Sequence, residues 1–330
     1  MFPLLHLPFF YIYSIPMDKN RILENKTPSK FLGYFFAVIS IFIWGITFVC
    51  TKHLLTYFSA FEILFIRFVL AYIFLWILFP HRLKLSTSEN ILVALAGLTG
   101  VTLYQFTENL ALNFTTASNV SIIVSICPIF TAITTQLFLK EKHLTLNFCI
   151  GFVLAFLGIT LVSFNGKINF NLSPKGDILA LCSSLCWGFY SLLITIINRK
   201  PHNIIGMTRK IFFYAMIFML PLLVLGIFSD NPKSISYVEL SKIENINRFS
   251  SILNWILLCF LGIFASGMCF VLWNKACNIL GTVKISTGLY LIPVVTIIFA
   301  TIFLDEKLTL MGGLGSLLTI IGLFISGREK

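Results

Sequence analysis

GYFFAVISIFIWGITF, residues Gly33 to Phe48, returns 143 positions later as GDILALCSSLCWGFYS, Gly176 to Ser191. Gly33 falls on Gly176, Ser40 on Ser183, Trp44 on Trp187 and Gly45 on Gly188. Further along, the offset becomes 165 and matches Asn109 with Asn274, Asn113 with Asn278, Ser121 with Ser286, Pro128 with Pro293 and Thr131 with Thr296. Glu141-Lys142 matches Glu306-Lys307 in the same register, and Gly151/Gly315 and Gly158/Gly322 follow after a one-residue gap. Apolar segments resemble one another by chance, but tryptophan, asparagine, proline and charge pairs repeated in one order do not. The two offsets differ by 22 residues, the length of the polar stretch Ser229–Ser250.

The setting of this repeat is a lipid bilayer. Hydrophobic residues make up 58% of the 330, charged residues only 11%, too few to clothe a water-soluble surface. Apolar runs of about 20 residues, the length that crosses the hydrocarbon core as a helix, recur from Phe31 onward. Ten spans are predicted, near 31–51, 60–79, 90–109, 116–138, 144–164, 177–197, 209–228, 251–273, 282–303 and 309–326. They divide the chain into a tail 1–30, a first repeat 31–164, a linker 165–176, a second repeat 177–326 and a short tail 327–330. Met1 to Pro16 lacks the basic region and cleavage site of a signal peptide and is too short to span, so translation starting at Met17 is an alternative.

A net charge of +11 raises the question of nucleic acid, and the distribution of basic residues answers it. With the N-terminus in the cytoplasm, sixteen of the 24 Lys and Arg fall on that side and seven on the other, with Arg67 inside a span. This is the positive-inside asymmetry; it places both termini in the cytoplasm of a multi-pass inner-membrane protein and leaves no need for a nucleic-acid partner. Five spans per half is an odd number, so the second half begins on the opposite side and the repeats are inverted. The eight cysteines contain no CxxC pair and read as small packing residues.

Together these residues resemble the drug/metabolite transporter (DMT) superfamily, in particular its EamA type, over Phe31 to Ser326. The resemblance is carried by Trp44-Gly45 and Trp187-Gly188, by Arg67-Phe68, by Ala117–Thr145 with Pro128 and KEKHLT, and by Thr282–Thr309 with Pro293 and DEKLT. It implies an all-α integral membrane fold of ten transmembrane helices in two inverted five-helix repeats. It also implies a central cavity lined mainly by helices 1, 3, 4, 6, 8 and 9, and alternating access. Amino acids and related metabolites are common solutes of such proteins.

Ionisable groups inside spans are expensive and mark candidate sites. Glu108, near the outer end of the third span in YQFTEN, could bind a substrate ammonium or carry a coupling proton; its repeat equivalent is Trp273. Arg67 is expected to meet carbonyls or another helix and to have no basic counterpart in the seventh span, whereas Glu62 is expected at the membrane interface. The aromatic set Trp44, Phe48, Tyr104, Trp187, Tyr190 and Trp273 suits the wall of a solute cavity. Asn109 and Asn274 are polar candidates for the same wall. Pro128 and Pro293 each remove a backbone hydrogen bond and offer a bend for gating. No HExxH, GxSxG, P-loop or metal cluster appears, and the five histidines lie outside spans or at their ends, so no catalytic residue and no cofactor are expected. The expected function is secondary transport, as an exporter, of a small metabolite, by proton antiport, sodium coupling or facilitated exchange. The alternatives are a non-transporting scaffold, a lipid scramblase or an intramembrane enzyme.

Overall fold

The computed structural model describes residues 29–164, 173–228, 247–303 and 310–327. Among them all regular structure is helical. Eight helices have the length and composition to cross a membrane: α1 (Lys30–Leu54), α2 (Ala60–Leu78), α3 (Thr87–Phe114), α4 (Ala117–Leu139), α6 (Pro174–Ile197), α7 (Ile204–Phe228), α8 (Ile252–Leu280) and α9 (Thr282–Phe303). The apolar α5 (Leu146–Phe164) and α10 (Leu310–Ser326) complete the order, with shorter apolar stretches among the described residues. The N-terminal tail to Pro28, most of the Ser229–Ser250 loop, and Glu306-Lys307 lie outside the described residues.

Helix starts follow side-chain chemistry. Ser59 and Ser86 open α2 and α3 with capping boxes closed by Glu62 and Glu89, and Thr116 caps α4 through Asn119 N at 3.1 Å. Basic residues bind free carbonyls at helix ends: Lys52 donates to Leu112 O and Thr115 O, and Arg209 to Phe79 O and His81 O.

Two expectations from hydropathy are corrected here. The third helix runs to Phe114 rather than 109, and the eighth to Leu280 rather than 273. Their last turns, ENLALNF and NKACNIL, are polar enough to fall below a membrane threshold but bury Asn109, Ala111, Asn274, Ala276 and Cys277, and this packing keeps them helical, while Asn113 and Asn278 face outward. Glu108 therefore stands well inside a helix, and Lys275 is helical rather than in a loop.

Neither long central helix is uniform. α3 and α8 each pass through a π-helical stretch, Leu98–Leu103 and Phe260–Met268, which overlap at the 165 offset. The two prolines sit beside the other irregularities. Helix α4 is interrupted at Ser125–Ile126, just before Pro128, whose ring would clash with the carbonyl four residues back. Helix α9 tightens to a 3₁₀ turn over Thr287–Leu291 just before Pro293.

Close helix contacts occur in matched, crossed pairs. A methyl group added at Gly45 would lie 2.6 Å from Val295 Cβ, and one at Gly188 would lie 2.7 Å from Phe130 Cβ. Phe130 and Val295 are themselves 165 residues apart, so α1 meets α9 as α6 meets α4. Gly33 approaches Leu280 as Gly176 approaches Thr115, and Gly97 approaches Ile211 O as Gly262 approaches Arg67 O. The last pair sets Ile211 opposite Arg67, one residue past Lys210, onto which the 143 offset places Arg67. Gly151, Gly158 and Gly322 let α5 and α10 touch backbone to backbone, the small-residue seam by which helices associate in lipid.

Candidate functional site

Where the helices converge, aromatic rings form a continuous layer. Trp44 meets Trp187 edge-on at 5.5 Å and Trp273 at 5.1 Å, and Trp187 touches Tyr104 at 4.9 Å and Tyr190 at 5.0 Å. Phe270 packs on Trp44, Trp187, Tyr190 and Phe212. The reason for the crossing is the Trp-Gly pair: glycine lets α1 and α6 approach their partners while the preceding tryptophan turns toward the centre.

This layer borders a cavity of about 20 Å³, room for a water molecule or so and not for an organic solute as it stands. Its wall is made by Trp44, Thr47 and Phe48 from α1, Arg67 from α2, and Tyr104, Gln105 and Glu108 from α3. Val124 and Cys127 come from α4, Trp187 from α6, Phe270 from α8, and Leu289 and Ile292 from α9. Six predicted site residues thus meet in one cavity: Trp44, Phe48, Arg67, Tyr104, Glu108 and Trp187.

Arg67 is 2% exposed, buried within the bundle rather than reaching its surface. Its Nε donates to Ser266 Oγ at 2.9 Å and its Nη1 to Gln105 Oε1 at 2.7 Å, so of the two expectations it meets other helices, through neutral side chains, rather than backbone carbonyls. No carboxylate among the described residues forms an ion pair with it. Glu108 is 6% exposed and near enough to Arg67 and Tyr104 to interact electrostatically with both, but its Oε2 has no hydrogen-bond partner. A buried carboxylate oxygen left without a donor costs about 1–3 kcal/mol or more.

The two repeat-related tryptophans differ at the indole nitrogen. Trp44 Nε1 donates to Ala265 O at 2.9 Å, using a carbonyl in the π-helical stretch of α8. Trp187 Nε1 is buried with no partner. One cavity therefore holds an unpartnered donor, an unpartnered acceptor and a guanidinium that forms no direct ion pair, inside aromatic walls.

The other sequence candidates lie off this wall. Trp273 backs Trp44. Tyr190 donates Oη to Asn274 Oδ1 at 2.9 Å, and Asn274 Nδ2 donates to Thr208 Oγ1 at 3.1 Å. Asn109 Nδ2 donates to Ala60 O at 3.2 Å, a bond between helices away from the cavity. Glu62, expected at the interface, is 7% exposed and forms a buried ion pair with Arg248 through bonds of 3.0 and 3.1 Å. Sequence reasoning missed Gln105, Ser266, Thr47, Cys127 and Phe270. Gln105 was open to detection, as an amide one turn before Glu108 in an apolar span; the others are ordinary membrane-helix residues by type. No group of three or more His, Cys, Asp or Glu able to hold a metal occurs among the described residues.

The EamA-like transporter family model matches residues 31–164 and 174–328. An Archaeoglobus fulgidus protein named "Uncharacterized transporter" is 26% identical over 302 residues, covering 88% of this chain and 96% of its own. Two Bacillus subtilis proteins, "Uncharacterized transporter YyaM" and "Uncharacterized transporter YvbV", are each 25% identical, covering 84% and 92% of this chain and 88% and 93% of their own. A solved crystal structure superposes with a TM-score of 0.67 at 15% identity, over 90% of this chain and 96% of that one, which shows a shared fold. The crossed helical packing, the central cavity and these matches lead to one assignment: the chain is a multi-pass membrane protein that belongs to the EamA-like transporter family.

Proposed function

We propose that this protein is a secondary transporter that exports a small metabolite, an amino acid or a related compound, by alternating access around the central cavity. The observation that carries the reading is the unsatisfied polar chemistry of that cavity: Trp187 Nε1 and Glu108 Oε2 without hydrogen-bond partners, beside an Arg67 that forms no direct ion pair. Buried polar atoms without partners are destabilising in themselves, so they are explained best by a ligand that supplies an acceptor, a donor and a negative charge. A carboxylate would meet Arg67 and Trp187, an ammonium would meet Glu108, and the aromatic walls would hold the remainder.

The matched contacts of Gly45 with Gly188, Gly33 with Gly176 and Gly97 with Gly262 support ten spans in two inverted five-helix repeats. Such an arrangement has two equivalent closures, one for each side. The breaks before Pro128 and Pro293 lie at matching positions of α4 and α9 and supply the bends for switching between them. The basic-residue asymmetry supports cytoplasmic termini in a bacterial inner membrane. Glu108 is the candidate carrier of a coupling proton, with sodium the alternative ion.

The test is counterflow of radiolabelled amino acids in proteoliposomes holding the purified protein, with imposed pH or sodium gradients. Solute-specific exchange is expected, and Glu108→Gln is expected to insert normally and lose the pH dependence. An absence of flux for every amino acid and close analogue refutes the solute class. Lipid scrambling without solute flux refutes the transporter reading altogether.

A further inference from the structure

A second cavity, also of about 20 Å³, lies between α6, α7 and α8 on the face that carries the α6–α7 connection. Asn198 and Lys200 border it from that connection, Thr208 from α7, and Asn274 and Asn278 from α8. It stands close to the central cavity. On α8 the central cavity reaches Phe270 and the second begins at Asn274, four residues or about 6 Å further along the axis. On α6 the corresponding limits are Trp187 and Ile194, with Tyr190 between them.

The layer in between is held by a polar chain. Tyr190 Oη donates to Asn274 Oδ1 at 2.9 Å, and Asn274 Nδ2 donates to Thr208 Oγ1 at 3.1 Å, so three helices are joined at one level. Tyr190 is 1% exposed, Asn274 4% and Thr208 0%. In a dry interior these groups satisfy one another. Once parted, they need other hydrogen-bond partners: Asn274 and Thr208 border the second cavity and can find water there, but Tyr190 borders neither cavity and is reached by water only if the two have merged. The chain of bonds is therefore stable when closed and dry or open and wet, and costly in between, which is the behaviour of a two-state barrier. The repeat does not reproduce it: Asn109, the counterpart of Asn274, bonds to a backbone carbonyl of α2 instead.

We infer that Tyr190, Asn274 and Thr208 form the gate between the central cavity and the Lys200 face, and that the second cavity is the mouth of the same route on that side. The purpose of the gate rests on the transporter reading, but its existence is measurable without any solute. Cys127 borders the central cavity and is 1% exposed, so it reports entry from either side.

The experiment uses the full chain with Cys127 as its only cysteine, in sided membrane vesicles. A membrane-impermeant methanethiosulfonate ammonium reagent is added at the Lys200 face. Tyr190→Phe and Thr208→Val each delete one hydrogen bond while keeping the bulk of the side chain, and each is expected to raise the labelling rate of Cys127 about fivefold. Asn278→Cys, already in the mouth, should react quickly with or without them. Both variants must elute from gel filtration as the parent does, and either one alone suffices for the test. Labelling of Cys127 at the parental rate in a folded variant, while Asn278→Cys reacts quickly, overturns the gate. Faster labelling without solute flux would leave the gate standing and refute the transporter reading; flux with unchanged labelling would do the reverse.

Discussion

Adding a single methyl group at Gly45 tests the crossed packing of the two halves. In Gly45→Ala the new Cβ would stand 2.5 Å from Val295 Cγ1, 2.6 Å from Val295 Cβ and 3.3 Å from Ile292 O. Carbon atoms in contact prefer about 3.5–4.0 Å, so α1 and α9 must separate by roughly 1 Å or Val295 must leave its rotamer. Overpacking of this kind costs about 1–3 kcal/mol. Separation also stretches the bond from Thr296 Oγ1 to Gly45 O, now 2.9 Å, putting about 1 kcal/mol more at risk. Alanine returns up to about 1 kcal/mol as the better helix former, which leaves a net loss of about 1–3 kcal/mol.

Gly188→Ala is expected to cost at least as much, because its Cβ would meet backbone as well as side chain, at 2.9 Å from Phe130 C. The bond from Thr134 Oγ1 to Gly188 O, at 3.0 Å, is exposed to the same strain. Gly313→Ala is the control, since nothing lies within 4 Å of its added Cβ. Melting temperatures of the detergent-solubilised protein, followed by size-exclusion chromatography after heating, supply the readout. At about 2–4 °C per kcal/mol for a chain of this size, Gly45→Ala and Gly188→Ala should melt about 2–12 °C below the parent. Gly313→Ala should melt at or above it. Parental stability in both of the first two variants would refute the claim that these glycines set the helix spacing.

Three further outcomes are expected. Arg248→Met should destabilise by about 3–5 kcal/mol because it strands the buried Glu62 carboxylate, and the double variant Glu62→Gln/Arg248→Met should recover part of the loss; equal melting of single and double variants would contradict a buried pair. Trp44→Phe should cost about 1 kcal/mol of stability through its lost bond to Ala265 O, whereas Trp187→Phe, whose indole N–H has no partner, should melt like the parent and show about fivefold weaker solute affinity in exchange assays. Arg67→Lys keeps the charge but cannot reproduce the forked contacts to Gln105 and Ser266, so solute affinity should fall about tenfold or more with little loss of expression.

The amino-acid sequence alone determined the membrane class, the internal repeat and the identity of most helices. A bilayer leaves a backbone few options, and ordered Trp, Asn and Pro matches survive in one dimension. It also brought forward six residues that line the cavity, because an ionisable or aromatic side chain inside an apolar span stands out from its surroundings. Helix ends were less legible: ENLALNF and NKACNIL mix polar with apolar residues, and only packing against neighbouring helices shows that Glu108, Asn109 and Asn274 are buried.

Tertiary structure alone decided which of these groups are satisfied. Glu62 reads as an interfacial acid until Arg248, far along the chain, is found against it. Arg67 could not be assigned to Gln105 and Ser266 from spacing, since both partners come from other helices. Trp44 and Trp187 are equivalent in the repeat, but one indole finds a π-helix carbonyl and the other finds nothing. A hydrogen bond depends on distance and direction between helices, and a repeat in sequence records neither.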